Sequence, residues 1–308
     1  MNSSLPQRKR RSRPRWGRLL NEDFRLLAIV PLLLALLVLT LYPATQLLRM
    51  AVSDVALTSG GTIWSFVGLE HLGTLMQDRV AWIALQNTLI FTVVVVPVEG
   101  ALGLLLAYLV SQVRVLGTFY KTVLIVPLLL PPIAIGALWR LMLDYNYGVI
   151  NVMLARIGIA GPPWLADPAL ALPAVMFVDV WHWTSFMFLI FLAGVSSIPG
   201  ELAEAAEVDG ASPVQVFRHI VLPILKPTIV VALMMRTILA FKVFDVPYLL
   251  TGGGPGTATE MVNIYIEKVF FQQFRVGYGS MLTLLAALVL SVFVLFYQRL
   301  SSKSEVVA

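Results

Sequence analysis

The chain has 308 residues, of which 58% are hydrophobic and 13% charged, and its mean hydropathy is +0.85. Soluble globular domains carry about 25% charged residues, so this composition indicates a membrane protein. The formal net charge is +5, and the absence of cysteine excludes disulfides and thiolate metal sites. The three histidines show no metal-ligand spacing, so we predict no metal site.

The first 25 residues form a basic segment, which we interpret as a cytoplasmic tail. Such a cluster is also found in nuclear targeting signals and nucleic-acid-binding proteins. Next to a hydrophobic span, it more often sets the orientation of the protein in the membrane. We therefore predict no nucleic-acid partner. The basic residues are Arg8, Lys9, Arg10, Arg11, Arg13, Arg15 and Arg18.

Six stretches are long and apolar enough to cross a membrane, which takes about 20 residues each. The first exceeds the roughly 7–15 apolar residues of a cleavable signal peptide, so we interpret it as an uncleaved span. The predicted fold is all-α and polytopic, with a six-span domain over residues 26–300 and a cytoplasmic C-terminal tail over 301–308. The predicted spans are Leu26–Leu48, Ala84–Val110, Val123–Trp139 (starting near Phe119), Ala169–Ile198, Pro227–Leu250 and Gly277–Tyr297.

Positive charge predicts the orientation of these spans, because Lys and Arg are enriched in cytoplasmic segments. With the N-terminus inside, the basic tail and three later basic clusters are all cytoplasmic, and both termini lie in the cytoplasm. The segment between the fourth and fifth spans, residues 199–223, is then cytoplasmic too; we name it the polar loop. The three later clusters contain Arg114 and Lys121, Arg218 and Lys226, and Arg299 and Lys303.

The polar loop is predicted to form two short helices joined by a tight turn. Gly210 is a natural stop for the first helix, because glycine adopts the left-handed conformation freely. Ser212 and Gln215 have the spacing of a capping box, with Pro213 in the first helical position and Pro223 at the end. Three interpretations remain: an amphipathic loop on the headgroups, a DNA-binding helix-turn-helix, or a docking element for a cytoplasmic partner. Tethering at both ends makes insertion into a DNA groove awkward.

Five ionisable residues lie within predicted spans, where such groups usually face a cavity or a partner. We hypothesise that Asp179 pairs with Lys242 and that Glu99 neutralises Arg236. Lys242 and Asp245, spaced i and i+3, would share one helix face. The alternative is that all these groups form ion pairs between helices without contacting a solute. Trp181 and Trp183 leave a similar choice between sugar stacking and interfacial anchoring.

The polar loop resembles the EAA loop of ABC importer permeases. Further segments are similar, in the same order, to the carbohydrate branch of that family, the maltose type. One departure is Ser185, where many relatives have proline. The matching residues in the polar loop are Glu204-Ala205-Ala206, Asp209-Gly210-Ala211, Ile220, Leu222 and Pro223; elsewhere they are Phe66–Glu70, Asn87-Thr88, Asp179–Thr184, Lys242–Asp245 and Leu250–Gly256.

The resemblance implies a permease subunit in a prokaryotic inner (plasma) membrane, surrounded by lipid. Its implied partners are a second homologous permease, forming a heterodimer, two ATPase subunits and an extracytoplasmic solute-binding protein. The implied solute is a sugar, oligosaccharide or polyol. ATPase coupling is implied for Glu204, Ala205, Ala206, Asp209 and Gly210. The candidate solute pathway contains Asn87, Glu99, Asp179, Trp181, Trp183, Arg236, Lys242 and Asp245.

The Gly-rich run after Leu250 is not a Walker-type phosphate loop. Such a loop ends in Gly-Lys-Ser/Thr, and the chain contains no Gly-Lys dipeptide. We therefore expect no enzymatic activity and no cofactor in this chain, with ATP and Mg bound by the partner ATPase. The alternative function is an ion-coupled secondary transporter that works without an ATPase and couples through Glu99 or Asp179. A membrane enzyme is a third possibility, but no nucleophile–base set stands out.

Overall fold

The computed structural model describes residues 16–58, 61–113 and 115–305. The chain forms two compact units, the first ending at Arg49 and the second beginning at Met50. Helix α1, Trp16–Ala51, contains the predicted first span and begins inside the segment predicted to be a tail. Most of the predicted tail, residues 1–15, lies outside the described residues. From Ile29 to Leu41 the large apolar side chains are exposed within this unit, as in a lipid-facing helix.

A β-hairpin follows α1 and was not predicted. Strand β1, Ser53–Thr58, pairs antiparallel with β2, Gly61–Phe66, in a register that places Ser53 opposite Phe66. Along β1, buried and exposed side chains alternate, which is the period of a half-buried strand. The all-α prediction therefore holds for the membrane part but missed this short element.

The next helices carry spans two, three and four. α3, Arg79–Gln112, and α7, Pro168–Ser196, match the predicted second and fourth spans to within a few residues at most boundaries. α7 continues through Ser185, the position where many relatives have proline. The remaining helices in this part are α2 Glu70–Gln77, α4 Gly117–Leu129, α5 Pro132–Met142 and α6 Val149–Arg156.

The predicted third span is not one straight helix. α4 and α5 meet at an angle of 95° at the Leu130-Pro131 break. Leu130 and Pro131 are extended, with ψ of 134° and 137°. Proline lacks the N–H for a helical hydrogen bond and disfavours the helical conformation in the preceding residue, so the Pro131-Pro132 pair breaks the helix.

The polar loop leads directly into the fifth span. It contains α8, Gly200–Val208, and α9, Pro213–Val216. A π-helical turn, Phe217–Val221, then continues into α10, Leu222–Phe241. The prediction that the second helix ends at Pro223 is therefore wrong. Pro223 follows the π-helical turn and stands in the first turn of α10, where a missing N–H is tolerated.

The fifth span also ends earlier than predicted. α10 stops at Phe241, with Lys242 as its C-cap, and a separate helix α11, Asp245–Thr251, follows the break. Lys242 and Asp245 thus lie on either side of a break rather than on one helix face. The chain then forms α12, Val262–Glu267, a π-helical turn, Lys268–Gln272, and α13, Val276–Glu305. Helix α13 enters the predicted C-terminal tail, whose residues 306–308 lie outside the described ones.

Among the described residues, five helices are long and apolar enough to cross a membrane, and counting the bent α4–α5 pair gives six. Helices α3, α7 and α10 pack against one another in the interior. At Gly103 the α3 backbone comes so close to α7 that an added Cβ would lie 2.8 Å from the Phe188 backbone nitrogen. This close approach brings the buried polar residues of the three helices together.

Candidate functional site

The polar loop has the predicted turn and cap. The backbone N–H of Ser212 donates to Gln215 Oε1 at 2.7 Å, and the Gln215 N–H donates to Ser212 Oγ at 3.4 Å. Gly210 has a φ of +81°, in the left-handed region where glycine is favoured. The predicted capping box and the glycine stop are therefore both confirmed.

The predicted coupling residues lie on the surface of the polar loop. Glu204, Ala205, Asp209 and Gly210 are exposed, and Ala206 is half-buried. A shallow cavity of about 320 Å³ opens beside them. Its lining includes Ala206, Asp209, Gly210, Ala211, Gln215 and His219.

The opposite side of the loop is held by the ends of α3 and α7. Tyr108 on α3 donates from its hydroxyl to the Pro213 carbonyl at 3.0 Å, and its ring lies 4.7 Å from that of Phe217. Val216 and Val221 are buried in the same cluster. Sequence reasoning missed Tyr108; its one signal was a tyrosine near the end of a span. These contacts fix the polar loop against the spans, so its outer side forms an ordered surface rather than a flexible connection.

Three buried charged residues form one cluster, which we name the Arg236 cluster: Glu99, Asp179 and Arg236. Arg236 Nε donates to Glu99 Oε2 at 2.5 Å, and Nη2 donates to Glu99 Oε1 at 2.9 Å. Nη2 also donates to Asp179 Oδ2. The pairing of Glu99 with Arg236 is therefore present in the structure. The hypothesis that Asp179 pairs with Lys242 is wrong, because α10 ends before Lys242 and leaves that side chain exposed.

The Arg236 cluster joins α3, α7 and α10 and is closed to solvent. Glu99, Asp179 and Arg236 are each at most 1% exposed. Trp183 covers the guanidinium, with its ring 4.7 Å from Arg236 Cζ. Within the described part of the chain, Asp179 Oδ1 and the Nδ1 of the neighbouring His182 have no hydrogen-bond partner. The arrangement is an inter-helix clamp in the conformation seen here.

The other predicted pathway residues occupy different environments. Trp181 is 37% exposed, packs edge-to-face on Trp139 at 5.5 Å, and lines a cavity of about 400 Å³. Asn87 instead donates to the carbonyls of Thr257 (3.0 Å) and Glu260 (3.1 Å). Lys242 and Asp245 are exposed in this single chain. The eight residues therefore do not converge on one site.

The segment after α11, residues 252–260, is the Gly-rich loop, and side chains hold it in place. Gly252 and Gly253 have φ of +60° and +94°, so glycine is favoured at both positions. Lys268 Nζ donates to the Gly252 carbonyl at 2.9 Å and to Glu260 Oε2 at 2.7 Å. Burial raises the pKa of Glu260, more than its pairing with Lys268 lowers it. Sequence reasoning identified the glycines as a turn but missed this pair.

A family model described as "Binding-protein-dependent transport system inner membrane component" matches residues 100–305, two thirds of the chain. The chain belongs to this family, the permeases of ABC importers. The matched region contains the polar loop and two members of the Arg236 cluster, Asp179 and Arg236. The permease is therefore a multi-pass inner-membrane protein.

Individual relatives cover most of the permease. It is 39% identical over 272 residues to the sulfoquinovosyl glycerol transport system permease protein SmoG of Agrobacterium fabrum, covering 87% of this chain and 88% of that protein. It is 37% identical over 235 residues to the trehalose/maltose transport system permease protein MalF of Thermococcus litoralis, covering 76% and 79%. A chain in a crystal structure titled as a bacterial alginate ABC transporter in complex with an alginate pentasaccharide-bound periplasmic protein is 25% identical, with a TM-score of 0.82 and coverage of 94% and 98%.

One further polar junction of the permease lies at the start of α3. Asp78 accepts hydrogen bonds from the backbone N–H of Val80 and Ala81 through Oδ1. Its Oδ2 accepts from the hydroxyls of Tyr265 and Tyr278, both at 2.5 Å. Burial raises the Asp78 pKa, but the hydrogen bonds together outweigh it, so the pKa lies below its usual value. Asp78 thus ties α3 to α12 and α13, and sequence reasoning missed it.

Proposed function

We propose that the permease carries a sugar, oligosaccharide or polyol into the cell, driven by ATP that separate ATPase subunits bind with Mg and hydrolyse. SmoG and MalF are named as permeases of sulfoquinovosyl glycerol and trehalose/maltose transport systems, which supports a carbohydrate solute. Several classes of carbohydrate occur among these names, so the proposal stays at the level of the class.

The observation that carries the coupling role is the fixed, exposed surface of the polar loop. Glu204 and Gly210 are exposed, while Tyr108 and the buried Val216 hold the other side of the loop against α3 and α7. A movement of such a surface would be transmitted to the spans, because the loop packs directly against them. We propose that an ATPase subunit docks there, with Ala205 and Ala206 permitting close approach and Glu204 meeting a basic or amide group.

The complete importer is proposed to contain this permease, a second homologous permease, two ATPase subunits and an extracytoplasmic binding protein. Exposure of Lys242, Asp245 and Trp181 in the single chain supports a partner permease facing them across the solute path. The Arg236 cluster is proposed to hold the helices that form the wall of this path. Both termini are proposed to be cytoplasmic, with the basic segment of residues 1–25 as a cytoplasmic tail.

An ion-coupled transporter without an ATPase receives less support. Its candidate coupling residues, Glu99 and Asp179, both accept hydrogen bonds from Arg236 and are closed to solvent. Ion coupling needs a carboxylate that the ion can reach from at least one side of the membrane.

The deciding experiment reconstitutes the complex in proteoliposomes and compares the two energy sources. We expect sugar uptake to require ATP inside the vesicles, where the interior corresponds to the cytoplasm. It should also require the binding protein outside the vesicles. A proton or sodium gradient without ATP should give no uptake. Uptake driven by a gradient alone, without the ATPase subunits, would contradict the proposal.

A further inference from the structure

A polar cavity lies at the end of the permease opposite the polar loop. It has a volume of about 360 Å³ and is lined by the end of α5, residues 163–166 just before α7, and the Gly-rich loop. We name it the Gly-loop cavity. Ligand pockets in proteins are typically about 300–1,000 Å³, so this volume suits a small ligand. The lining includes Arg140, Asp144, Tyr145, Ala166, Thr251 and Pro255.

The cavity wall presents a guanidinium, a carboxylate and a phenol ring from consecutive turns of chain. Arg140 is fixed by donating from Nη1 to the Leu249 carbonyl at 3.2 Å. Asp144 Oδ1 accepts from the N–H groups of Asn146 and Tyr147, both at 2.9 Å. Within the described part of the chain, Asp144 Oδ2 accepts no side-chain or backbone hydrogen bond. Tyr145 is 58% exposed, so its ring is accessible to a ligand.

The opposite wall is a pre-formed backbone surface. Thr259 Oγ1 donates to the Gly254 carbonyl at 2.7 Å and lies 2.6 Å from Thr251 Oγ1. Lys268 Nζ donates to the carbonyl of Gly252, in the same loop. A wall fixed by its own hydrogen bonds loses little entropy on binding, which favours a ligand site over a collapsible surface gap.

We propose that the Gly-loop cavity binds one neutral sugar unit of the solute before it enters the membrane path, an inference that rests on the proposed carbohydrate function. A sugar hydroxyl both donates and accepts, so it matches the Arg140 donors and the free Asp144 oxygen together. The two formal charges cancel, which disfavours a ligand with net charge. The exposed ring of Tyr145 offers an apolar face with a polar tip, suited to the C–H face of a sugar.

The chain has no cysteine, so one engineered thiol can report on the cavity. Ala166 is small and exposed and lines the cavity, whereas Val115 is 77% exposed between α3 and α4, outside both the cavity and the proposed docking surface. In the assembled complex in nanodiscs, without binding protein, N-ethylmaleimide should label both the Ala166→Cys and the Val115→Cys permease. Maltose, trehalose or lactose should slow labelling of Ala166→Cys at least about fivefold and leave labelling of Val115→Cys unchanged.

Second substitutions in the Ala166→Cys permease test the proposed contacts. Tyr145→Ala should raise the half-protecting sugar concentration about tenfold, the size of a lost contact of about 1.4 kcal/mol. The control is Tyr147→Ala, because Tyr147 is 88% exposed and does not line the cavity. Asp144→Asn keeps an acceptor for the turn but leaves the cavity positive. It should therefore weaken protection of the Ala166→Cys thiol by maltose. It should also make glucuronate protective, whereas glucuronate should give no protection when Asp144 is present.

Three outcomes would overturn the inference. These are no protection by any of the three neutral sugars, protection by the sugar-free binding protein alone, and an Ala166→Cys thiol that is unreactive in the assembled complex. The second would make the cavity a protein-docking site, and the third would mean that the partner permease fills it. ATP-driven uptake by the unaltered complex reports separately on the proposed function, so lost protection with intact uptake refutes the cavity site alone.

Discussion

Arg236 on α10 holds Glu99 on α3 through two parallel hydrogen bonds, although 137 residues separate them in the sequence. Both side chains are at least 99% buried. A bidentate guanidinium–carboxylate pair is directional as well as strong, so it fixes the rotation of one helix relative to the other. Asp179 on α7 joins the same guanidinium, so three spans share one polar anchor.

The first prediction concerns the removal of this anchor. Arg236→Met leaves two buried carboxyl groups without their cation, and breaking a buried pair costs about 3–5 kcal/mol. We expect a large loss of assembled permease and a lower midpoint in thermal unfolding of the detergent-purified protein. Lys242→Met is the matched control, because Lys242 is exposed at the end of the same helix. Equal behaviour of the two variants would contradict the clamp role.

The second prediction separates the partners of Asp179. In a double-mutant cycle, Asp179→Asn and Arg236→Met should couple by about 0.5–3 kcal/mol, the range for residues in contact. Asp179→Asn and Lys242→Met should be additive, because Lys242 lies beyond the end of α10 and is exposed. Thermal or denaturant unfolding of the four proteins in each cycle measures the coupling. Coupling to Lys242 alone would reverse our assignment.

The spans and the polar loop were predictable because each has a local signal. Long apolar stretches, each with a single Asp or Glu, predicted α3 and α7, and Gly210 with Ser212 and Gln215 predicted the turn and cap. The end of α10 had no such signal, since apolar residues continue past Lys242 and Asp245 as far as Leu250. The partner of Asp179 depends on where that helix stops. Pairings across the chain, such as Tyr108 with Pro213, depend on helix packing that a single sequence does not encode locally.

The third prediction is a pH dependence at the start of α3. The pKa of Asp78 is lowered in the folded protein, so its ionised form stabilises the fold above the usual value of 3.8. That contribution is lost as the pH falls below 3.8. At pH 7, Asp78→Asn should destabilise the permease by roughly 1.5–3 kcal/mol, the range for hydrogen bonds to a charged group.

Asp167→Asn is the control for Asp78. Asp167 also caps a helix, accepting from the Ala169 N–H at 2.8 Å, and among the described residues no tyrosine hydroxyl donates to it. The difference in unfolding midpoint between the two variants should be large at pH 7 and should shrink towards pH 3. A difference that is independent of pH would show that the charge of Asp78 does not matter.

The fourth prediction concerns topology. We predict that both ends lie on the same, cytoplasmic side, because the N-terminal segment is basic and the number of spans is even. A reporter active only in the cytoplasm should be active when fused after residue 308, and a periplasmic reporter there should be silent. The opposite pattern would mean that the bent α4–α5 pair does not complete a crossing, so that the described helices give five spans.

The fifth prediction tests the polar loop through the backbone of Gly210. Gly210 and Gly200 both have open space where a side chain would start, but Gly210 alone of the two has a positive φ, +81°. A β-branched residue in the left-handed region is strained by roughly 1–3 kcal/mol. Gly210→Val should therefore distort the turn between α8 and α9, while Gly200→Val should leave it intact.

The consequence for coupling follows from the position of that turn. Gly210 and Asp209 line the shallow cavity beside Glu204, at the surface proposed for the ATPase. Gly210→Val and Glu204→Lys should reduce co-purification of the ATPase, or separate ATP hydrolysis from uptake in proteoliposomes. Membrane insertion should be unchanged in both, because no span is altered. Normal ATPase association and normal coupled uptake in both variants would contradict the docking proposal. A distorted turn and a reversed charge would then have no effect on the proposed docking surface, so the polar loop would only connect two spans.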